Sequence, residues 1–168
     1  MKDTPVITAA KMMAGKAHEG QFRKYSGLPY IIHPIEVATT VEAYGGTDEM
    51  IAAALLHDVV EDCPGYTVAM IADEISPLVA EYVDGLTDVS KPEDGNRSVR
   101  KALDLEHLAG ASPAVQTIKY ADILSNTTSI VADDPSFAEV YLPEVRAILD
   151  VMTDGDPALY TRVKEAVG

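Results

Sequence analysis

Apolar positions recur at helical spacing through most of the chain. Ile7, Ala10, Ala14 and Ala17 form one stripe, and Leu78, Val79, Tyr82, Val83 and Leu86 form another. No stretch alternates with a period of two, so no strand is predicted. Five pairs mark helix starts: Thr4-Pro5, Ser76-Pro77, Ser112-Pro113, Asp134-Pro135 and Asp156-Pro157. Each joins a good N-cap to a proline at the first helical position, where the missing N–H has no intrahelical partner to lose. Further helices are predicted from Pro34 to Tyr44, ended by Gly45-Gly46, and from Asp48 to Val60, started by Thr47. Two more cover Ser98 to Leu108 and Pro113 to Ser125. After Asp134, Pro143 is expected to kink or restart the run that ends near Met152. His18 to Tyr30 and Thr87 to Arg97 read as loops. With no repeat and no linker, the expectation is an all-α fold: one orthogonal helical bundle forming a single domain over residues 1–168.

Composition narrows the class. A hydrophobic content of 47% with 24% charged residues is that of a globular chain. The longest apolar run, Ile51 to Leu56, falls far short of the about 20 residues that a membrane span needs. The N-terminus lacks the apolar core of a secretory signal. Cys63 is the only cysteine, which excludes an intramolecular disulfide and makes a reducing cytoplasm the expected setting. The net charge of −14 repels nucleic-acid backbones. A small anionic substrate is compatible with it, provided that cations converge locally and a metal supplies the rest. No membrane or nucleic-acid partner is therefore expected, and oligomeric state is left open.

The richest chemistry lies in His57-Asp58-Val59-Val60-Glu61-Asp62. On a continuous helix at about 100° per residue, Glu61, Asp58 and Asp62 fall roughly 40°, 100° and 140° from His57, on one arc. Ala52, Leu55, Leu56, Val59 and Val60 take the opposite arc. Three carboxylates at a helix C-terminus oppose the macrodipole and one another, so a positive partner is called for. A solvated helix end is the plain alternative. His33, before Pro34 at a helix start, is either a second ligand or a buried, satisfied ring. Asp122 sits within Ile118-Lys119-Tyr120-Ala121-Asp122-Ile123-Leu124, where a carboxylate is costly to bury alone. It is either another ligand or half of an ion pair with Lys119. Two imidazoles and two carboxylates suit Mn²⁺, Fe²⁺ or Zn²⁺, and such a centre leaves room for water and a phosphate oxygen. Glu61 and Asp62 would then be the carboxylates beside that water.

Four blocks in order resemble the HD-domain phosphohydrolases, and within them the RelA/SpoT-type small alarmone hydrolases. They are His18-Glu19-Gly20-Gln21-Phe22-Arg23-Lys24, Pro29-Tyr30-Ile31-Ile32-His33-Pro34, Ala53-Ala54-Leu55-Leu56-His57-Asp58-Val59-Val60-Glu61-Asp62 and Lys119-Tyr120-Ala121-Asp122-Ile123-Leu124-Ser125-Asn126. The resemblance implies one Mn²⁺ held by His33, His57, Asp58 and Asp122, with Glu61 and Asp62 serving the attacking water. It implies further that Arg23 and Lys24 border a guanine and that Asn126 reaches the ribose. The implied reaction removes pyrophosphate from the 3′ position of guanosine tetra- or pentaphosphate (ppGpp or pppGpp), the alarmones of the stringent response. Bifunctional relatives carry a synthetase domain afterwards, for which this chain is too short, so hydrolysis alone is expected. The chain departs from the family's usual residues at Tyr120, Ile123 and Asp88, where leucine, arginine and lysine are common.

Arg97, Arg100 and Lys101 form the densest basic cluster, either a phosphate contact or plain helix surface. Cys63 has no base assigned to it, His18 and His107 read as ordinary, and the six methionines read as core filling. The competing functions are another nucleotide phosphohydrolase on the same metal centre, such as an NADPH phosphatase or a deoxynucleoside triphosphatase, and a non-catalytic nucleotide-sensing module.

Overall fold

The computed structural model describes residues 1–168 and is all-α, with only an isolated bridge between Phe22 and Pro29 outside the helices and turns. Its contacts divide it into two compact units, Met1–Thr87 and Asp88–Gly168. The first holds α1 (Pro5–Ala17), α2 (Ile32–Ala43), α3 (Asp48–Leu56), α4 (Val59–Asp62), α5 (Val68–Glu74) and α6 (Pro77–Leu86). The second opens with a 3-10 turn at Pro92–Asp94, then α7 (Arg97–Ala109), α8 (Pro113–Asp133), α9 (Pro135–Val151) and α10 (Pro157–Val167).

All five proline-marked starts are helix N-termini. Ser76, Ser112, Asp134 and Asp156 accept backbone N–H bonds from the first turn, as do Thr47, Thr67 and Asn96 at other helices. Thr4 makes no such cap bond. Helix α5 was not anticipated. It is one short stretch behind Thr67, too brief for periodicity to reveal. Helix α8 runs eight residues past the expected end at Ser125, to Asp133. Helix α9 passes through Pro143 as one element.

In the first unit α3 is the hub, packing against α1, α2 and α6. Every residue from Ile51 to Leu56 is wholly buried, which is the signature of a helix apolar on all sides. Small Ala52, Ala53 and Ala54 let neighbours approach, and each buried leucine at 55 and 56 contributes about 1.5–3 kcal/mol. The sharp entry to α3 depends on glycine. Gly45 has φ +82°, and a Cβ on Gly46 would collide with the Val41 side chain and carbonyl.

The expected continuous helix from Asp48 to Val60 is broken after Leu56. His57 turns its Nδ1 back onto the Ala54 carbonyl at 2.6 Å, and Asp58 takes φ −103°, ψ −4°. A side chain bonding to a carbonyl of the preceding turn competes with the helical ladder, and Asp58 enters the sparsely populated bridge region. The single-arc placement of His57, Asp58, Glu61 and Asp62 therefore does not apply.

In the second unit α8 carries the core through Val115, Ile118, Tyr120, Ala121 and Ile123. It packs on α9 and α10. Among the methionines only Met152 is buried, while Met12 is 73% exposed, so core filling holds for one of the six.

Candidate metal centre

His33, in the first turn of α2, and His57 and Asp58, at the break after α3, converge although they are distant in sequence. One ligand atom from each lies within 4.8 Å of the others. Both histidines are buried, at 1% and 4% exposure, and their rings meet edge to face at 5.2 Å. A carbonyl only accepts, so the bond from His57 Nδ1 to Ala54 O puts the ring proton on Nδ1. In the neutral ring Nε2 then carries a lone pair. That lone pair lies 3.1 Å from Asp58 Oδ2, and His33 Nε2 lies 3.7 Å from the same oxygen. Lone pair against carboxylate is repulsive. A second proton on the ring or a cation between the groups relieves it, and the nitrogen and oxygen donors fit a divalent ion.

Asp58 Oδ2 also accepts a 2.6 Å hydrogen bond from the Tyr30 hydroxyl. The Tyr30 ring packs against His18 at 4.8 Å and His33 at 5.8 Å. His18, expected to be ordinary, is buried, with Nδ1 2.8 Å from Gln21 Oε1 and 3.4 Å from Cys63 Sγ. Gln21 Nε2 donates to the Asp62 carbonyl at 3.2 Å. Tyr30, His18 and Gln21 were thus missed as residues around the centre. Their signal was their place inside two of the blocks that carry the family resemblance, which gave them no role of their own.

Glu61 and Asp62 follow on α4, both exposed. Burial of part of its carboxyl and then the charge of Asp58 raise the Asp62 pKa, against the lowering pull of His18, His57 and His33. A raised carboxylate is a better proton acceptor. Burial pushes the Cys63 thiol up as well, which opposes a thiolate role. Arg23 and Lys24 lie in a tight turn closed by bonds from Arg23 N to Leu28 O (2.7 Å) and Gly27 N to Arg23 O (3.1 Å). Lys24 Nζ sits 5.5 Å above the Tyr25 ring.

Asp122 belongs to the second unit, on α8, and is buried. Its Oδ2 accepts from Lys119 Nζ at 2.9 Å and its Oδ1 from Asn126 Nδ2 at 3.1 Å. The ion-pair alternative for Asp122 is therefore realised. Burial lowers the Lys119 pKa, but Asp122, through charge and hydrogen bond, and then Asp88 outweigh it and leave the ammonium above its ordinary value. These residues line a cavity of about 400 Å³ with Asp88, Arg97, Lys101, Phe137, Tyr141 and Glu144. Arg97 forks onto Glu144 at 2.9 and 3.0 Å, and it lies 5.5 Å over the Phe137 ring. Burial raises Tyr141 to about 12.

Residues 10–136 match the family model described as an HD domain. The chain belongs to the HD domain family. Relatives agree with that membership. A guanosine-3′,5′-bis(diphosphate) 3′-pyrophosphohydrolase of Haemophilus influenzae is 49% identical over 80 residues, covering 48% of this chain and 12% of that protein. A GTP pyrophosphokinase of Streptomyces coelicolor is 36% identical over 121 residues, covering 71% of this chain and 14% of the relative. The chain thus spans a small part of the curated relatives it matches. A solved structure, described as a metazoan ortholog of SpoT that hydrolyzes ppGpp, shares 26% identity at TM-score 0.86, covering 99% of this chain and 96% of its own.

Two of the HD domain's departures have structural roles. Tyr120 is wholly buried, and its hydroxyl donates to Met152 O at 2.5 Å and accepts from Gly155 N at 3.2 Å. Gln116 and Thr117 accept from Asp154 N (2.7 Å) and Asp156 N (2.8 Å), so α8 grips the turn between α9 and α10. A Cβ on Gly155 would stand 2.5 Å from the Tyr120 ring, which explains the glycine. Ile123 is 1% exposed, an apolar core position. Asp88 lines the cavity. Its segment is held by Asp104, which accepts from Val89 N, Ser90 N and Ser90 Oγ at 3.0, 2.9 and 2.8 Å.

Proposed function

We propose that this HD domain is a metal-dependent phosphohydrolase that removes pyrophosphate from the 3′ position of guanosine tetra- or pentaphosphate. The observation that carries it is the convergence of His33, His57 and Asp58, with the His57 tautomer set by Ala54 and its Nε2 turned to the Asp58 carboxylate. The named activities of similar proteins supply the substrate class.

In this reading one Mn²⁺ is bound by His33, His57, Asp58 and Asp122. The ion would act as a Lewis acid on a phosphate oxygen and lower the pKa of a bound water. Asp62, with its raised carboxyl, and Glu61 would be the residues that orient the attacking water and accept its proton. Arg23 and Lys24 border the guanine, and Asn126, one turn after Asp122 on the same face, reaches the ribose. Residues 1–168 act as a single domain in this scheme, a view supported by a family match that runs through both units. No helix is long and apolar enough to cross a membrane. A cytoplasmic setting completes the proposal.

Purified protein, stripped with chelator and reloaded with Mn²⁺, is incubated with a nucleotide panel and the products are identified. Intact pyrophosphate and a guanosine 5′-diphosphate are expected from the tetraphosphate, with no turnover in the stripped protein or in His57→Ala. A wide kcat/KM preference for NADPH or a deoxynucleoside triphosphate would overturn the alarmone substrate. Full activity without metal would overturn the centre itself.

A further inference from the structure

We propose that Tyr30 is a positioning residue for the metal centre: its hydroxyl holds the Asp58 carboxylate in the orientation that receives the ion. The inference rests on the metal reading of His33, His57 and Asp58. Three observations carry it. The Tyr30 Oη to Asp58 Oδ2 distance is 2.6 Å, short enough for a charge-assisted bond. The same oxygen faces both imidazole Nε2 atoms, at 3.1 and 3.7 Å. The Tyr30 ring is wedged between His18 and His33, which denies the hydroxyl other orientations.

The chemistry is specific. A carboxylate oxygen has more than one lone pair, so Oδ2 accepts the phenol proton and still offers density to a cation. Asp58 stands at the break after α3, as the N-cap of α4 with φ −103° and ψ −4°. Removing the hydroxyl takes one short restraint from the carboxylate, and the orientation lost with it would be charged against metal binding. Outer partners of ligating carboxylates are worth about 10–100-fold in metal affinity. Tyr30 also links two parts of the first unit. Its N–H donates to Gln21 O at 2.8 Å, and Gln21 reaches the Asp62 carbonyl, so the turn carrying Arg23 and Lys24 and the segment carrying Asp58 and Asp62 share one fastening.

The test is Tyr30→Phe, which keeps the ring and removes only the hydroxyl. Mn²⁺ is titrated into stripped wild type and variant, with free ion followed by electron paramagnetic resonance. The dissociation constant should rise ~10-fold or more, while the unfolding temperature of the stripped protein moves by less than about 3 °C. Turnover should return at saturating Mn²⁺, so that the metal requirement moves and the nucleotide KM does not. A dissociation constant close to wild type overturns the role of Tyr30 and leaves the metal centre standing. A wild type that binds no Mn²⁺ overturns both. An independent reading needs no variant. The Tyr30 hydroxyl proton should give a protected downfield resonance that shifts on adding diamagnetic Zn²⁺, and a resonance indifferent to the ion refutes the coupling.

Discussion

Asp122 has two roles open to it, and removing it in metal-free protein separates them. In Asp122→Ala the Lys119 ammonium loses a partner at 2.9 Å while only 21% of its side chain meets solvent. Removing one member of a buried pair costs about 3–5 kcal/mol. Residual exposure of Lys119 and the remaining charge of Asp88 reduce this to about 2–3 kcal/mol. For a chain of this size that is a fall of roughly 5–10 °C in Tm. Lys119 binds its proton more tightly folded than unfolded. Its contribution is therefore fully present at neutral pH and is lost only as pH rises through the folded-state value. The assay is thermal unfolding in chelator of wild type, Asp122→Ala, Lys119→Met and the double variant. Most of the loss should return in the double variant, because apolar replacement of both partners is close to neutral. Added Mn²⁺ at a hundred times its dissociation constant should raise wild-type stability by about 2.7 kcal/mol, and Asp122→Ala much less if it is also a ligand. An unchanged Tm for metal-free Asp122→Ala would refute the ion-pair reasoning.

Glu61→Gln and Asp62→Asn should retain Mn²⁺ and the fold while turnover falls ~10²-fold or more; unchanged turnover in both returns them to a solvated helix end. Tyr120→Phe strands the Met152 carbonyl and the Gly155 N–H and should cost about 1–3 kcal/mol in denaturant unfolding, leaving Mn²⁺ affinity untouched; a neutral result removes its clasp role. The Asp88 pKa is raised, first by burial of its carboxyl, despite the lowering effect of Lys119. Its protonated form is thus favoured by folding, and that contribution is lost as pH rises through the folded value. Asp88→Asn should therefore gain stability over wild type at neutral pH, with the gap closing in acid. A gap that widens in acid contradicts the sign.

Helix starts were legible because their chemistry is short-range. A cap such as Ser76 or Asp156 bonds an N–H two or three residues ahead, so the pair with proline carries its own meaning. The central place of α3 was equally legible, since six consecutive apolar residues have no solvent face to offer. Spacing alone could name His33, His57 and Asp58 as candidates but not join them, because nothing local says that the start of α2 meets the end of α3; the family resemblance grouped them without giving the geometry. Only the tertiary structure decided that convergence. It also decided the break at Asp58, where a side-chain bond to Ala54 competes with the helical ladder that periodicity assumes. Tyr30 and Tyr120 show the same limit. As letters in apolar runs both look like packing, and only the fold sets one hydroxyl against a carboxylate and the other against a distant turn. The physical reason is range: propensity and capping act over a few residues, whereas the partner of a buried polar group is chosen by whichever segment packs against it.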